Sequence, residues 1–395
     1  KKSHLDGPPS GVVGLIDQLI DRAADLGASD IHFEPTESAV AVRFRVDGRL
    51  HEVESIPGVL LPNLVTRLKV MAGLLTYRVD IPQEGGLTLQ DGRGLDIRIS
   101  TFPTVRGERV AVRLLPKAAA VRTLDVLGLS KRVIRHFVDA AVEKQGLILV
   151  TGPAGSGKTT TLFAFLQLLT ESLPGTSIMT LEDPVEYRLD GIAQIQVNPH
   201  GELTYPRALR SLLRQDPQII LLGEIRDAET AHIAIEAALT GHLLLSTMHG
   251  GSVAEAIVRL REMGIPGYQM TSVLRLVVSQ RLLRSVCEDC RPTGARSFED
   301  RHPDHEPCAA CLGSGFHGRC ACAEAASMTS ELRAAVLDQS DTEKIQESIS
   351  SADAHVTLAG DALRHVSAGR TTRDEAESAI GGPLPAPDTE PPRMN

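Results

Sequence analysis

The chain has 395 residues, a net charge of −9 and 42% hydrophobic residues, which allows two or three domains with substantial cores. It contains no Trp and only 3% aromatic residues, so its acidic charge and its scarcity of stacking side chains argue against a general nucleic-acid binder. Apolar runs such as Ile219–Leu222 are far shorter than the roughly 20 residues of a membrane span, and no signal peptide is visible. We therefore expect a soluble, cytoplasmic protein.

Residues 1–116 are predicted to form an α+β domain. A helical pattern is followed by runs in which apolar and polar residues alternate, as they do in half-buried strands. Asp47-Gly48, between two of these runs, is typical of a β-hairpin turn. Arg98 and Arg113 fall on the polar face of two neighbouring strands, so we expect both side chains on the same side of the sheet.

Residues 117–123 are interpreted as a linker, and residues 124–286 alternate strand and helix signals. This alternation predicts a parallel sheet with flanking helices. The predicted buried strands are 147–150, 177–181, 219–222 and 242–246.

A phosphate-binding loop is predicted after the first of these strands. Gly152-Pro-Ala-Gly-Ser-Gly-Lys-Thr159 fits G-x-x-x-x-G-K-[ST] and lies between an apolar run and a helical segment. Lys158 would contact the β- and γ-phosphates, and the Thr159 hydroxyl would contact Mg²⁺. A chance match is the alternative, which the correct flanking segments disfavour. The predicted ATP-binding residues are Gly152, Pro153, Ala154, Gly155, Ser156, Gly157, Lys158, Thr159 and Thr160.

Two glutamates close apolar strands of the same domain. Glu224 follows the run Ile219–Leu222 and, together with Thr159, is predicted to hold Mg²⁺. Glu182 closes another apolar strand, where its carboxylate could polarise the attacking water. The alternative for Glu182 is an acid at a turn with no special role.

His242 and His249 bracket a further apolar strand. Two histidines beside Thr240-Gly241 in a domain of this type suggest a sensor of the γ-phosphate. A single histidine is more often structural than catalytic, and the residues alone leave both interpretations open.

All six cysteines lie between positions 287 and 322. Cys287, Cys290, Cys308 and Cys311 form two C-x-x-C pairs, a spacing that predicts a structural, tetrahedral Zn²⁺ site in residues 287–322. Free or redox-active thiols are the alternative, and Cys320 and Cys322 are either additional ligands or inert. Residues 323–380 are predicted to be helical, and residues 381–395 are predicted to be a disordered tail.

The ordered motifs resemble those of the secretion ATPase superfamily, and most closely the type II secretion and type IV pilus assembly ATPases. The motifs include Ala28-Ser-Asp-Ile-His-Phe-Glu-Pro35, the phosphate loop and Leu181-Glu-Asp-Pro-Val-Glu186. They continue through Gly223-Glu-Ile-Arg-Asp227 and the segment 240–249, and the tetracysteine pattern is also shared.

The resemblance implies a RecA-like P-loop domain preceded by a PAS-like domain, with a small zinc subdomain and a C-terminal helical region. It also implies a homo-hexameric ring on the cytoplasmic face of the inner membrane, bound there through secretion or pilus platform proteins. Met248-His-Gly-Gly251 departs from the Leu-His-Thr-Asn that is usual at this place in the family, although the histidine, His249, is kept.

The same resemblance assigns roles to individual residues. Arg98 and Arg113 match arginines that reach the nucleotide phosphates from the N-terminal side, although two solvated strand arginines are the alternative. Glu182 matches the proposed catalytic base and Glu224 the acid near Mg²⁺. Arg210 and Arg214 are interpreted as residues of the ring interface or the phosphate side.

The function that we expect is therefore ATP hydrolysis that drives pseudopilus assembly in type II protein secretion. Assembly of a type IV pilus is the alternative within the family. A nucleic-acid motor and a nucleotide-binding scaffold without hydrolysis are alternatives from other classes of protein.

Overall fold

The computed structural model describes residues 11–88, 95–116, 123–186, 188–198, 201–290, 308–352 and 355–386. The chain folds into two compact units. The first consists of Lys1–Ala119 with Cys287–Gly318, and the second of Ala120–Val286 with Arg319–Asn395. Among the described residues, every helix is too short or too polar to span a bilayer.

The first unit contains an antiparallel sheet of six described strands in the order β3-β2-β1-β6-β5-β4. Its elements are α1 (Val12–Asp25), β1 (Asp30–Pro35), β2 (Ala39–Val46), β3 (Arg49–Pro57), α2 (Leu61–Met71), β4 (Gln83–Thr88), β5 (Leu95–Thr104) and β6 (Gly107–Pro116). A 3₁₀ turn, Gly58–Leu60, precedes α2.

The alternating patterns of the sequence explain this sheet. Apolar residues such as Phe33 and Phe44 are fully buried in one core with the two helices. Asp47 and Gly48 both have left-handed φ values, 48° and 86°, as the tight turn between β2 and β3 requires. The predicted hairpin and the predicted α+β character of this unit are confirmed. The second predicted turn, at Asp91-Gly92, lies outside the described residues.

The second unit contains a sheet of seven described strands in the order β13-β12-β7-β11-β10-β8-β9. Its strands are β7 (Gly146–Thr151), β8 (Ile178–Glu182), β9 (Ala193–Gln196), β10 (Ile219–Leu222), β11 (Leu243–Met248), β12 (Leu274–Val286) and β13 (Phe316–Ser327). Its helices are α3 (Lys131–Val142), α4 (Lys158–Ser172), α5 (Tyr205–Leu212), α6 (Ala228–Leu239), α7 (Val253–Glu262), α8 (Gly267–Val273), α9 (Ser330–Leu337), α10 (Thr342–Ser350), α11 (Leu358–Ser367) and α12 (Arg373–Ile380).

The central strands of this sheet are parallel and are covered on both faces. Leu147 and Leu149 of β7 enter one core, whereas Ile148 and Val150 enter the core on the opposite face. Burial on both faces explains why these strands read as continuous apolar runs. The four strands predicted from such runs are present, so the predicted parallel sheet is confirmed.

Two parts of the chain differ from the prediction. Phe316–Ser327, expected to be divided between the zinc subdomain and the helical region, is instead one strand beside β12. Its central residues, 320–326, are mostly small and show no alternation of apolar and polar side chains, although most of them are buried.

The predicted disordered tail is corrected for residues 381–386. Leu384 is buried in a small core with α11 and α12, and its N–H donates to Oε1 of Glu377 over 3.1 Å. The rest of the tail and most of the predicted linker, residues 387–395 and 117–122, lie outside the described residues.

Candidate functional site

The phosphate loop joins the end of β7 to the start of α4. Gly157, which directly precedes α4, has a φ of 82°, a left-handed value that glycine adopts without steric penalty. The first N–H groups of a helix have no partner within it, and the positive end of the helix dipole lies at the same place. The loop and the first turn of α4 therefore form an anion site where the motif predicted one.

Gln280 of β12 supports this loop from the neighbouring strand. Its side chain is buried, Nε2 donates to the Ser156 carbonyl over 2.6 Å, and Oε1 accepts from Oγ1 of Thr161 over 2.8 Å. The main-chain oxygen of Gln280 is 2.5 Å from the position that a Cβ on Gly152 would take, so a larger residue would clash there. Gln280 thus holds the loop at Ser156 and leaves room only for a glycine at position 152.

Lys158 lies folded back over the loop. Its Nζ donates to the carbonyl oxygens of Gly152 and Pro153 over 2.8 and 3.0 Å. Burial holds the pKa of Lys158 below its ordinary value, although the Glu224 carboxylate acts in the opposite direction. Because both present partners are neutral acceptors, a phosphate oxygen would be a stronger partner for this ammonium group.

Glu182 is the last residue of β8 and is 3% exposed. Its Oε1 accepts hydrogen bonds from Oγ1 of Thr180 over 2.6 Å and from Nε2 of Gln194 over 3.0 Å. Burial raises the pKa of Glu182 above its ordinary value, even though these two hydrogen bonds lower it. A carboxylate with a raised pKa is a better proton acceptor, which is the property that a general base needs.

Glu224 lies between the side chains of His249 and Arg226. Its Oε1 is 2.9 Å from Nε2 of His249, and its Oε2 accepts from Nε of Arg226 over 2.7 Å. Arg226 also approaches Asp183, with 3.6 Å between Nη1 and Oδ2. Residues that follow β8, β10 and β11 are therefore joined in one continuous network of polar contacts.

A cleft of about 200 Å³ lies between the loop and these carboxylates. Lys158 and Thr159 line one side, and Glu182 and Glu224 line the other. Tyr205 of α5 also lines the cleft, and burial raises the pKa of its hydroxyl, which therefore stays protonated. The structure thus brings together Lys158, Thr159, Glu182 and Glu224, with His249 beside Glu224.

His242 does not belong to this group. Its carbonyl accepts from the N–H of Gly146 at the start of β7, and its Nδ1 is 2.9 Å from the carbonyl of Ala237. The phosphate loop lies at the other end of β7, six residues or about 20 Å away along the strand. The expected pair of phosphate-sensing histidines is therefore corrected, because only His249 lies at the edge of the sheet that carries the loop.

Arg210 and Arg214 do not line this cleft. Arg210 forms an exposed ion pair with Glu229 over 3.0 Å, and Arg214 donates to the carbonyl of Arg210 over 2.9 Å. Arg98 and Arg113 belong to the first unit and lie directly opposite each other on β5 and β6, which confirms that they share a face.

The four cysteines of the two C-x-x-C pairs form a cluster in the first unit. Their sulfur atoms all lie within 4.8 Å of one another, with 4.0 Å between Cys287 and Cys308 and 3.5 Å between Cys290 and Cys311. Tetrahedral coordination with metal–sulfur distances of about 2.3 Å requires about 3.8 Å between sulfurs. The N–H of Gly315 donates to Sγ of Cys311 over 3.3 Å. The cluster could therefore hold a metal ion.

Cys320 and Cys322 are not part of this cluster. Both lie on β13 in the second unit, packed with Leu283 and Ala362. Burial raises the pKa of both thiols, so they remain neutral core residues.

Sequence reasoning did not identify Gln280, Arg226 or Tyr205. Gln280 lies far along the chain from the loop and has no spacing relation to it. Arg226 lies within the motif Gly223-Glu-Ile-Arg-Asp227, where its charge beside Glu224 was the available signal. Tyr205 directly precedes a proline at the start of a short helix, which is a helix-start signal rather than a catalytic one.

Comparison with known proteins reveals extensive similarity. The family described as "Type II/IV secretion system protein" matches residues 9–378. The Pseudomonas aeruginosa protein named "Type II secretion system protein HxcR" is 42% identical over 371 residues, which cover 94% of this chain and 77% of that protein. The Vibrio cholerae protein named "Type II secretion system ATPase E" is 43% identical over 331 residues, with coverage of 80% and 65%.

Two further similarities concern pilus assembly and fold. The Thermus thermophilus protein named "Type IV pilus assembly ATPase PilB" is 39% identical over 393 residues, which cover 94% of this chain and 43% of that protein. The structure of the Legionella pneumophila ATPase DotB has a TM-score of 0.72 at 22% identity, covering 95% of this chain and 97% of the other. This structural likeness supports an α/β ATPase fold.

The cysteine cluster leads to a prediction about metal content. We expect one tightly bound metal ion per chain, and we expect Cys287→Ser to lose it because three thiolates leave one coordination position unfilled. Cys320→Ala is the matched control and should keep the full complement, because Cys320 lies outside the cluster. Elemental analysis of the purified variants measures both. Full metal content in Cys287→Ser would contradict the assignment.

Proposed function

Because the chain belongs to the type II/IV secretion system protein family, we propose that it is an ATPase that hydrolyses ATP to drive pseudopilus assembly in type II protein secretion. The observation that carries this proposal is the convergence of the phosphate loop, Glu182, Glu224 and His249 at one edge of the second sheet. Relatives named for type II secretion favour this system.

The residues of the cleft would have separate roles in ATP binding and hydrolysis. The loop amides and Lys158 bind the β- and γ-phosphates. Thr159 and Glu224 would hold Mg²⁺, which neutralises phosphate charge when it is bound. Glu182, with its raised pKa, accepts a proton from the attacking water. His249 lies against Glu224 and senses the γ-phosphate region.

Arginines from the N-terminal domain would complete the site. Arg98 and Arg113 share one face of a sheet and present guanidinium groups suited to γ-phosphoryl oxygens. Arg113 is well exposed, although its Nε is 3.0 Å from Oδ1 of Asp30, so it is held in place and remains accessible. Arg210 and Arg214 are exposed and suit a ring interface.

We further propose that the first unit is PAS-like and the second RecA-like, and that the protein acts as a homo-hexamer. It would bind platform proteins at the cytoplasmic face of the inner membrane, without nucleic acid. The metal of the cysteine cluster would be zinc, because four closely spaced thiolates with no open position suit a structural Zn²⁺.

Extension of a type IV pilus is the second candidate. The similarity to the protein named "Type IV pilus assembly ATPase PilB" extends over 94% of this chain, and the same site chemistry would serve both systems.

ATP turnover tests the proposed activity. With Mg²⁺ present and nucleic acid absent, the rate per chain should rise steeply with protein concentration because assembly completes the site. Lys158→Ala should abolish turnover, since it removes the charge that contacts the phosphates. A rate per chain that stays near zero at high concentration would reduce the claim to nucleotide binding, and turnover that requires DNA would favour a nucleic-acid motor.

Arg113→Ala should reduce kcat more than it weakens ATP binding, because its charge would act mainly on the transition state. We expect a decrease in kcat on the order of 10³-fold, as for other arginines that act on a transferred phosphoryl group. Arg49→Ala, an exposed arginine on the edge strand β3, is the control and should leave both quantities unchanged. Equal losses in kcat and in ATP affinity would argue against the role of Arg113.

The proposed role of Glu182 predicts a pH dependence. An ionised general base loses activity as the pH falls through its pKa, and burial raises the pKa of Glu182. The acid limb of kcat/KM should therefore lie above the range of an exposed glutamate. Thr180→Val removes a hydrogen bond that lowers this pKa, so the limb should move to higher pH. An unmoved limb in Thr180→Val would exclude Glu182 as the titrating group.

A further inference from the structure

The loop that carries His249 has little rigidity of its own. It joins β11 to α7 and contains two successive glycines, Gly250 and Gly251. Glycine loses more conformational freedom on folding than any other residue, so fixing this loop requires contacts from outside it. His249 nevertheless has to be held 2.9 Å from the Glu224 carboxylate.

Several contacts supply this rigidity. The N–H of Gly251 donates to Oε2 of Glu255 over 2.6 Å, and its carbonyl accepts from Nη2 of Arg281 over 2.7 Å. The carbonyl of His249 accepts from Nη1 of Arg259 over 3.1 Å. All of these groups are at least partly exposed, so each contact competes with water.

Glu324 of β13 makes an anchoring contact that is buried on both sides. It is 5% exposed, and its Oε2 accepts from the N–H of Val253 over 3.1 Å. Val253 is the first residue of α7 and lies two positions after Gly251. An N–H in the first turn has no partner within its helix, and a negative charge is favourable there. Glu324 therefore fixes the point at which the loop ends and α7 begins.

The second oxygen of Glu324 is bound by the C-terminal helical region. Oε1 accepts from Nε2 of Gln346 on α10 over 2.9 Å, and Nε2 of His355 lies 3.4 Å away. Burial disfavours the charged form, but these contacts hold the pKa of Glu324 below its ordinary value. The carboxylate thus joins β13, the start of α7 and the helices that follow β13.

We propose that Glu324 is a positioning residue for His249, which it holds against Glu224 by fixing the start of α7. Through Gln346 and His355, the same carboxylate makes the position of His249 depend on the C-terminal helices. The catalytic part of this inference rests on the proposed ATPase function, whereas the structural part does not.

Glu324→Gln tests the proposal with a minimal change of shape. A carboxylate can accept from all the donors around it, whereas an amide has one acceptor and turns an N–H₂ group towards a donor. Glu347→Gln is the matched control, because Glu347 is an exposed glutamate on α10. The wild type and both variants are compared as full-length chains.

Two independent measurements decide the outcome. In Glu324→Gln, amide hydrogen exchange of residues 249–254 should become on the order of tenfold faster, while exchange in α4 stays unchanged. The kcat for ATP should fall by on the order of 10- to 100-fold, with KM within about twofold of the wild type. Glu347→Gln should resemble the wild type in both measurements.

A double variant separates positioning from general destabilisation. If Glu324 acts through His249, Glu324→Gln should cause no further loss of kcat in a His249→Ala background. The proposal would be overturned if the two substitutions reduced kcat by the product of their separate factors. It would also be overturned if Glu324→Gln left the exchange of residues 249–254 unchanged. If the wild type shows no turnover, the proposed function fails and the exchange measurement alone still decides the positioning role.

Gln346→Met provides a second variant in case Glu324→Gln does not fold. It removes one donor to Oε1 at similar side-chain volume, so it should accelerate exchange at 249–254 by a smaller factor and leave α4 unchanged. Unchanged exchange in both regions would overturn the proposal in this case as well.

Discussion

The parallel register of β7, β8, β10 and β11 is the constraint on which the candidate site depends. Leu222 at the end of β10 lies between Leu181 of β8 and Ser246 of β11, and β11 pairs with β7 up to Thr151. Side groups that follow parallel strands meet at one edge of a sheet, which is where open α/β folds bind their ligands. A slip of one residue in any of these pairings would turn every side chain of that strand to the opposite face and separate the carboxylates from the loop.

At this edge, two glutamates on neighbouring strands have different surroundings. Glu182 is buried and accepts hydrogen bonds from the neutral side chains of Thr180 and Gln194, and burial raises its pKa. Glu224 is bracketed by the guanidinium of Arg226 and the imidazole of His249, each in contact with one of its oxygens. Different environments for paired carboxyl groups are a common way of separating acid–base work from charge stabilisation. Under the proposed function, this difference in surroundings would suit Glu182 to proton transfer and Glu224 to charge stabilisation.

The sequence predicted those features that are encoded locally. The phosphate loop, the hairpin at Asp47-Gly48 and the buried parallel strands each have a short pattern with a direct steric or hydrophobic cause. The position of His242 follows from chain order, because it precedes β11 and therefore lies at the end of the sheet opposite the loop, which follows β7. β13 was missed because small residues such as Ala321 and Ala323 are buried by the elements around them rather than by an alternating pattern of their own. Gln280 reaches the loop because β12 lies beside β7 in the sheet, and no local spacing in the sequence reveals that order of strands.

The C-terminal segment is structurally connected to the edge of the second sheet that carries the candidate site. β13 extends the second sheet, Cys320 and Cys322 fill a core with α11 and α12, and Glu324 reaches the start of α7. The glycine pair before α7 removes local stiffness at the place where His249 has to be held. Under the proposed role of Glu324, part of this stiffness is supplied from a distance by one buried carboxylate and its donors, in addition to the contacts of Glu255, Arg259 and Arg281 with the loop. Movement of α10 would then change the distance between His249 and Glu224 and leave β11 in place. Glu324 holds the start of α7, whereas β11 is held by its pairing with β7 and β10.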